Sequence, residues 1–339
     1  MVRVLVVHQP TEDFENRELA VALAAAGSAD YDVRLFQLPP AGATPHAMAE
    51  LARLDRAAGF DVLHAIGPNS LLSVLPIGCQ PVVYTPIAHN ILRGVRRLRW
   101  ISKVRQVTST APSQSARRAL IDVGINQASI RSLPTPFVPT PAQTPITRKA
   151  LGLAESDRVM LAVGECTRAA GHKLSAWAAV ILFCFDQRHK LLIAGGPYVD
   201  VIRRFTQALC QPGFCVIAQD VLNTTISFDH LVPMADLALY TPAEPGGLLA
   251  AEICRAGNLP ILAAPSALTN ELSRDDLIIG PAVHAKLLAQ TAHHFFDDDP
   301  NRPTRRGQAI LHPVNGLDDW LQLYDDVLVG RQRPFAKVT

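Results

Sequence analysis

The sequence predicts an α/β protein built from two doubly wound, Rossmann-like domains that face each other across a cleft. Three observations lead there. Apolar runs of strand length alternate with helix-length segments from the first residues onward, the pattern of parallel sheets covered by helices on both faces. A proline-rich stretch interrupts that pattern once, after which it starts again. The chain's 339 residues are too many for one ordinary core and suit two.

In order, the strand-like runs of the first half are "RVLVV", "DVRLFQL", "DVLHAI", "PVVYT", "VRQVTS" and "SIRSL", separated by helical segments such as "ENRELAVALAAAG" and "SQSARRALIDVG". "LPTPFVPTPAQTP" then places five prolines between 134 and 145 without periodicity and reads as a linker. Beyond it "RVMLAVG", "KLLIAGG", "FCVIAQ", "LALYTP", "LPILAA" and "LIIG" form a second set. Apolar residues at 317, 320, 321, 324, 327 and 328 give a final helix one buried face, expected to pack back on the first domain. The predicted division is therefore 1–140, 141–316, and a returning helix and tail at 317–339.

Composition narrows the class. Hydrophobic residues at 48% and charged residues at 18% describe a packed globular chain rather than a disordered one. The net charge of +2 hides an asymmetry: residues 1–140 hold 14 Lys/Arg against 10 Asp/Glu, leaving −2 for the remainder. The six cysteines, at 79, 166, 184, 210, 215 and 254, form no C-x-x-C pair and read as reduced core thiols of a cytoplasmic protein. "MVRVLVVHQP" is a short strand and no signal peptide, and no apolar run reaches the roughly 18 residues of a membrane span, so any membrane contact is expected to be peripheral.

The most informative stretch is "AEPGGLLAAEICRAGNLPILA", residues 243–263. It reads as a loop entering a helix near Gly246, a stop at Gly257, and a short strand from Pro260. The head of such a helix carries about half a positive charge and exposed N–H groups, which suits an anion. Glu252 would lie about 9 Å along that helix from Gly246 and about 80° around its axis from position 244. Carboxylates repel phosphate and accept from hydroxyls, so two acids flanking an anion site match the layout of a sugar nucleotide.

These residues resemble the retaining glycosyltransferases of the two-Rossmann (GT-B) fold, in the family-4-like group that carries an E-x7-E motif. The likeness extends over most of the chain. Glu244 and Glu252 have the motif's spacing, "DVLHAIG" and "PVVYTPIAHN" resemble the family's strands ending in histidine, "LAVGECTRAAGHKL" its donor-domain glycine loop, and "KLLIAGGP" the following strand. The resemblance implies transfer of a sugar from a nucleotide-diphosphate donor to an acceptor with retention, and neither metal nor cofactor. It further implies that Glu244 meets donor-sugar hydroxyls as a catalytic group, that Glu252 holds the ribose, and that Gly246, Gly247 and Leu248 lie against sugar and phosphate. Gly164 opens the diphosphate loop. The chain departs from the family there: Glu165 and Ala170 stand where an Arg and a Lys usually face the leaving group, and Arg168 and Lys173 are the nearby substitutes. The loop "HQPTEDFEN" also lacks the family's glycine pair. A catalytically silent relative that binds a nucleotide sugar or glycan, or supports a partner, therefore stands as the alternative.

Other features read two ways. His89 follows a strand at an expected acceptor edge and either assists the acceptor hydroxyl or the donor sugar, or is a capping or buried histidine; His64 reads as structural. From Val62 to Ile121 there are eight basic residues and no acid. Arg93, Arg96, Arg97, Arg99 and Lys103, interleaved with Val95, Leu98, Trp100 and Ile101, suit a phosphorylated acceptor or an anionic membrane surface as well as a plain solvated face. No nucleic-acid motif is present. Asp297, Asp298 and Asp299 read as an exposed acidic loop, and His293 with His294 as a poor metal pair.

Overall fold

The computed structural model describes residues 1–9, 14–87, 95–101, 105–139, 146–209, 211–224, 226–243, 248–266, 271–272, 277–280, 283–297 and 316–332. The chain divides into two compact units, Met1–Val138 with Asn315–Thr339, and Pro139–Val314.

The first unit holds strands β1 (Val2–His8), β2 (Tyr31–Gln37), β3 (Val62–Ile66), β4 (Val82–Thr85), β5 (Val107–Ala111) and β6 (Ile130–Ser132). They form one parallel sheet in the order β2-β1-β3-β4-β5-β6. Helices α1 (Phe14–Ala25), α2 (Pro45–Ala58), α3 (Pro68–Val74), α4 (Val95–Ile101) and α5 (Gln114–Asp122) connect them. Strand alternation sends Leu5, Val7, Leu63 and Val82 into one core with Leu51, Leu71 and Leu120. It sends Val4, Val6, Val62, Ile66 and Val83 into another with Leu19 and Leu23. Local signals set the helix ends: Thr44 accepts from the Ala47 amide at 3.2 Å with Pro45 in the first turn, and Ser113 accepts from the Ala116 amide at 2.9 Å.

The second unit holds β7 (Arg158–Ala162), β8 (His189–Ile193), β9 (Cys215–Ile217), β10 (Leu237–Tyr240), β11 (Ile261–Ala263) and β12 (Leu277–Ile279). Their order is β12-β11-β10-β7-β8-β9, again all parallel. Its helices are α6 (His172–Phe185), α7 (Val199–Ala208), α8 (Ala218–Leu222), α9 (Leu248–Ala256) and α10 (Ala285–Asp297). Met160, Ala162, Leu191, Ile193, Leu237 and Leu239 pack with α6, α7 and α10. In the turn between α9 and β11, Asn258, at φ 53°, is the residue in the left-handed conformation, not Gly257. Leu259 N–H reaches Cys254 O at 2.8 Å and Asn258 N–H reaches Arg255 O at 2.7 Å. The helix thus ends in a Schellman motif one residue later than the glycine suggested.

The final helix, α11 (Leu317–Gln332), belongs to the first unit. Trp320, Leu323, Tyr324 and Val327 are buried against Val4, Val6, Val62 and Val83. Its contacts are specific as well as apolar. Tyr324 Oη lies 2.8 Å from His64 Nδ1, and His64 Nε2 lies 2.8 Å from Thr85 Oγ1, which meets Thr110 Oγ1 at 2.7 Å. Trp320 stacks on the same imidazole and donates its indole N–H to Pro134 O at 2.8 Å. Tyr31 donates to Asp325 at 2.6 Å. His64 is therefore a structural residue, and burial drives its pKa down to about 3.

Candidate functional site

In doubly wound sheets ligands gather outside the carboxyl ends of the strands where the strand order reverses. In the second unit the chain runs from β7 outward through β8 and β9, then returns to place β10 on the other side of β7. The reversal lies between β7 and β10, and the segments leaving those two strands are the glycine loop and the approach to α9.

The structure fastens these segments to each other. Ala243 N–H donates to Ala169 O at 2.8 Å, Thr241 Oγ1 to Gly171 O at 3.2 Å, and Ser175 Oγ lies 2.7 Å from Thr241 Oγ1. Gly171 has φ 68°, and a Cβ there would stand 1.8 Å from Thr241 O, so the contact requires glycine. Gly164, at φ 86°, turns the chain out of β7 against α9, where an added Cβ would lie 3.6 Å from that of Ala250. His172 is buried beneath the loop and donates Nε2–H to Val163 O at 3.2 Å. Burial lowers its pKa to about 4. The loop also reaches the segment between β8 and α7: Cys166 N–H donates to Gly195 O at 2.6 Å and Tyr198 N–H to Cys166 O at 2.9 Å.

Helix α9 buries Leu249, Ala250, Ala251, Ile253 and Cys254. What it turns outward is the strip of Leu248, Glu252, Arg255 and Ala256. Glu252 accepts from Arg255 Nε at 2.7 Å, a pairing one turn apart. Gly164 thus meets the buried face of α9 at Ala250, while Leu248 and Glu252 lie on its outward strip. Lys173 does not join them through its amine: it sits in the first turn of α6 with Nζ 5.7 Å from the Phe205 ring centroid on α7. Arg168 is exposed on the glycine loop. Glu244, Gly246, Gly247, His89, Arg93 and Lys103 lie outside the described residues, as do the side chains of Arg96 and Arg97.

Several sequence expectations change. Leu98 and Ile101 are buried in the first unit's core, so α4's apolar positions belong to the fold and Trp100, 63% exposed, is the one apolar side chain it shows among the described residues. Arg99 is exposed and lies against Gly124, 3.7 Å from where a Cβ would stand. Cys79 and Cys184 are exposed, unlike the buried Cys166 and Cys254. Asp297 is not a loop residue: it ends α10, paired with Arg158 at 3.0 Å and with His293 at 3.1 Å. Among the described residues no His/Cys/Asp/Glu group could hold a metal, and no helix is long and apolar enough to cross a membrane. Sequence reasoning missed Arg255, Thr241 and Ser175; only Arg255 carried a signal, its i,i+3 spacing from Glu252.

No family model matches the chain, and no curated protein matches it. Solved structures share its fold. Anabaena HepE in complex with UDP-glucose superposes with a TM-score of 0.68 at 17% identity over 98% of both chains. A glycosyltransferase from Rickettsia africae gives 0.61 at 12% identity over 96% of this chain and 98% of that one. A putative UDP-N-acetylglucosamine 2-epimerase from Listeria monocytogenes gives 0.58 at 12% over 100% and 98%. At such low identity these superpositions show the fold alone, two Rossmann-like α/β domains.

Proposed function

We propose that the chain is a glycosyltransferase of the E-x7-E type, moving a sugar from a nucleotide-diphosphate sugar to an acceptor hydroxyl with retention at the anomeric carbon. One observation carries the reading: at the strand-order reversal of the second unit, the glycine loop from Gly164 to Gly171 is hydrogen-bonded to the segment leading into α9. Glu252 stands on that helix's outward strip. The reading has support in Anabaena HepE, a protein of the same fold that binds UDP-glucose.

In this reading Glu244 engages hydroxyls of the donor sugar, Glu252 those of the ribose, and the amides of Gly246, Gly247 and Leu248 face the diphosphate. The transition state is an oxocarbenium-like sugar with negative charge growing on the leaving group. Fixed N–H donors at the head of α9 stabilise that charge, each worth about 100- to 1000-fold in rate at comparable sites. Arg168 is the loop cation assigned to assist. His89 serves the acceptor side, and the basic segment with Trp100 meets a phosphorylated acceptor or an anionic membrane surface. The reaction so drawn needs no metal.

The test is donor binding and turnover with purified protein. Glu252→Gln is expected to weaken donor affinity about tenfold and Glu244→Gln to lower turnover by about 100-fold, both with unchanged unfolding midpoints. Wild-type behaviour in either variant refutes the assigned role, and the anomeric configuration of the product by NMR decides retention. A second reading, a silent nucleotide-sugar binder, is favoured by Glu165 and Ala170 in the loop and by the placement of the Lys173 amine over Phe205. Binding without nucleotide release in the presence of diverse acceptors selects it. Conversion of a UDP-sugar to its epimer would instead select the epimerase chemistry of the Listeria relative.

A further inference from the structure

We infer that Arg255 is a positioning residue that sets the carboxylate of Glu252 for a diol on the ligand, and so decides how strongly the site discriminates ribose from deoxyribose. The inference rests on the donor-site reading above. Helix α9 is buried around most of its circumference, so the strip of Leu248, Glu252, Arg255 and Ala256 is the side-chain surface it turns outward. On that strip the polar groups are one carboxylate and one guanidinium, and they are joined. Arg255 Nε donates to Glu252 Oε2 at 2.7 Å, with the glutamate side chain 22% exposed and the arginine 45%.

A free glutamate on a helix samples several rotamers and loses that freedom when it binds. A glutamate held through one oxygen has its second oxygen aimed in advance, and the two lone-pair directions left on Oε1 suit the hydroxyls of a cis-diol. Arg255 also balances the charge of Glu252, so a diphosphate meets a neutral pair on this helix rather than a bare anion. A helix-end arginine also interacts favourably with the helix dipole. That role would show in stability alone, whereas the positioning role shows in which nucleotide is bound.

Titrations of the full chain with UDP, 2′-deoxy-UDP and 3′-deoxy-UDP test the inference. Wild type is expected to prefer UDP over a deoxy analogue about tenfold. Arg255→Ala should weaken UDP about fivefold while leaving the deoxy analogue nearly unchanged, so that the preference collapses. Arg255→Lys should restore part of it, and adding Glu252→Gln to Arg255→Ala should cost little more. Equal loss for all three nucleotides, or a preference that survives in Arg255→Ala, overturns the positioning role while leaving the donor-site reading in place. Failure of wild type to bind UDP or any nucleotide-diphosphate sugar removes the reading itself.

Discussion

The two sheets have the same number of strands and the same parallel sense, yet their functional-looking polar groups occupy different depths. In the first unit they lie inside: His64, Thr85, Thr110 and Tyr324 form a buried chain of imidazole and hydroxyls under Trp320. In the second unit the core packed under α6, α7 and α10 is apolar, a largely buried Arg148–Asp236 pair at 2.7 Å ties the amino ends of β7 and β10, and at their carboxyl ends Thr241, Ser175 and Gly171 fasten two loops. The first arrangement secures an element that arrives from far along the chain, since an apolar face alone would not fix the register of α11. The second secures loops, which have no core of their own and depend on backbone contacts for a defined shape. At these two places polar bonding attaches a distant element in one unit and pre-organises loops in the other.

The largest expected effect that would break this contrast is at Gly171. Gly171→Ala adds a Cβ 1.8 Å from Thr241 O in a left-handed backbone. It should destabilise by about 4 kcal/mol or more in urea unfolding; a loss under 1 kcal/mol would show that the two loops are not clamped. Acid comes second and acts on both units. His64 and His172 are neutral in the folded state, with pKa values brought by burial from 6.5 to about 3 and about 4. Below pH 6.5 the unfolded chain takes up protons that the folded chain refuses. Each histidine should therefore remove roughly 1.4 kcal/mol per pH unit, down to about pH 3 for His64 and about pH 4 for His172. Buried His8 and His189, also shifted downward, act in the same direction. Urea midpoints between pH 7 and 5 test the slope, and a flat profile would contradict it.

Trp320→Phe sharpens the contrast at smaller scale. It keeps an aromatic ring over His64 but removes the bond to Pro134 O, and should cost about 1–2 kcal/mol with donor binding unaffected. Smallest is Lys173→Met. Its amine lies over Phe205, so stability should fall by less than about 1 kcal/mol. Affinity for UDP should stay within about twofold, and a larger loss would bring that lysine back to the diphosphate.

The sequence made the strands legible because parallel strands buried on both faces read as near-continuous apolar runs; each of the twelve strands described overlaps a run read from it, though β1, β2, β5 and β8 extend past theirs. The returning helix was legible too, since Trp320, Tyr324 and Val327 keep its period, though Leu323 joins the buried face as well. What faces what was less so. A residue two places past Gly171 sits about 200° around α6, and nothing in its neighbours says that Lys173 meets α7 rather than the loop. Leu98 and Ile101 carry the same periodicity whether a helix faces core or membrane. The partnership of His64 with Tyr324 spans 260 positions, beyond any local rule.

Placing α11 in the first unit has a consequence for synthesis. The face of β1, β3 and β4 that receives Trp320 and Tyr324 is complete in sequence by Thr85, but its cover is encoded beyond residue 316, after the whole second unit. At about 5–20 residues per second a ribosome takes at least roughly 12 s to travel from one to the other. Through that interval the nascent chain carries a valine-rich sheet face covered only in part, by Leu19, Ala20 and Leu23 of α1.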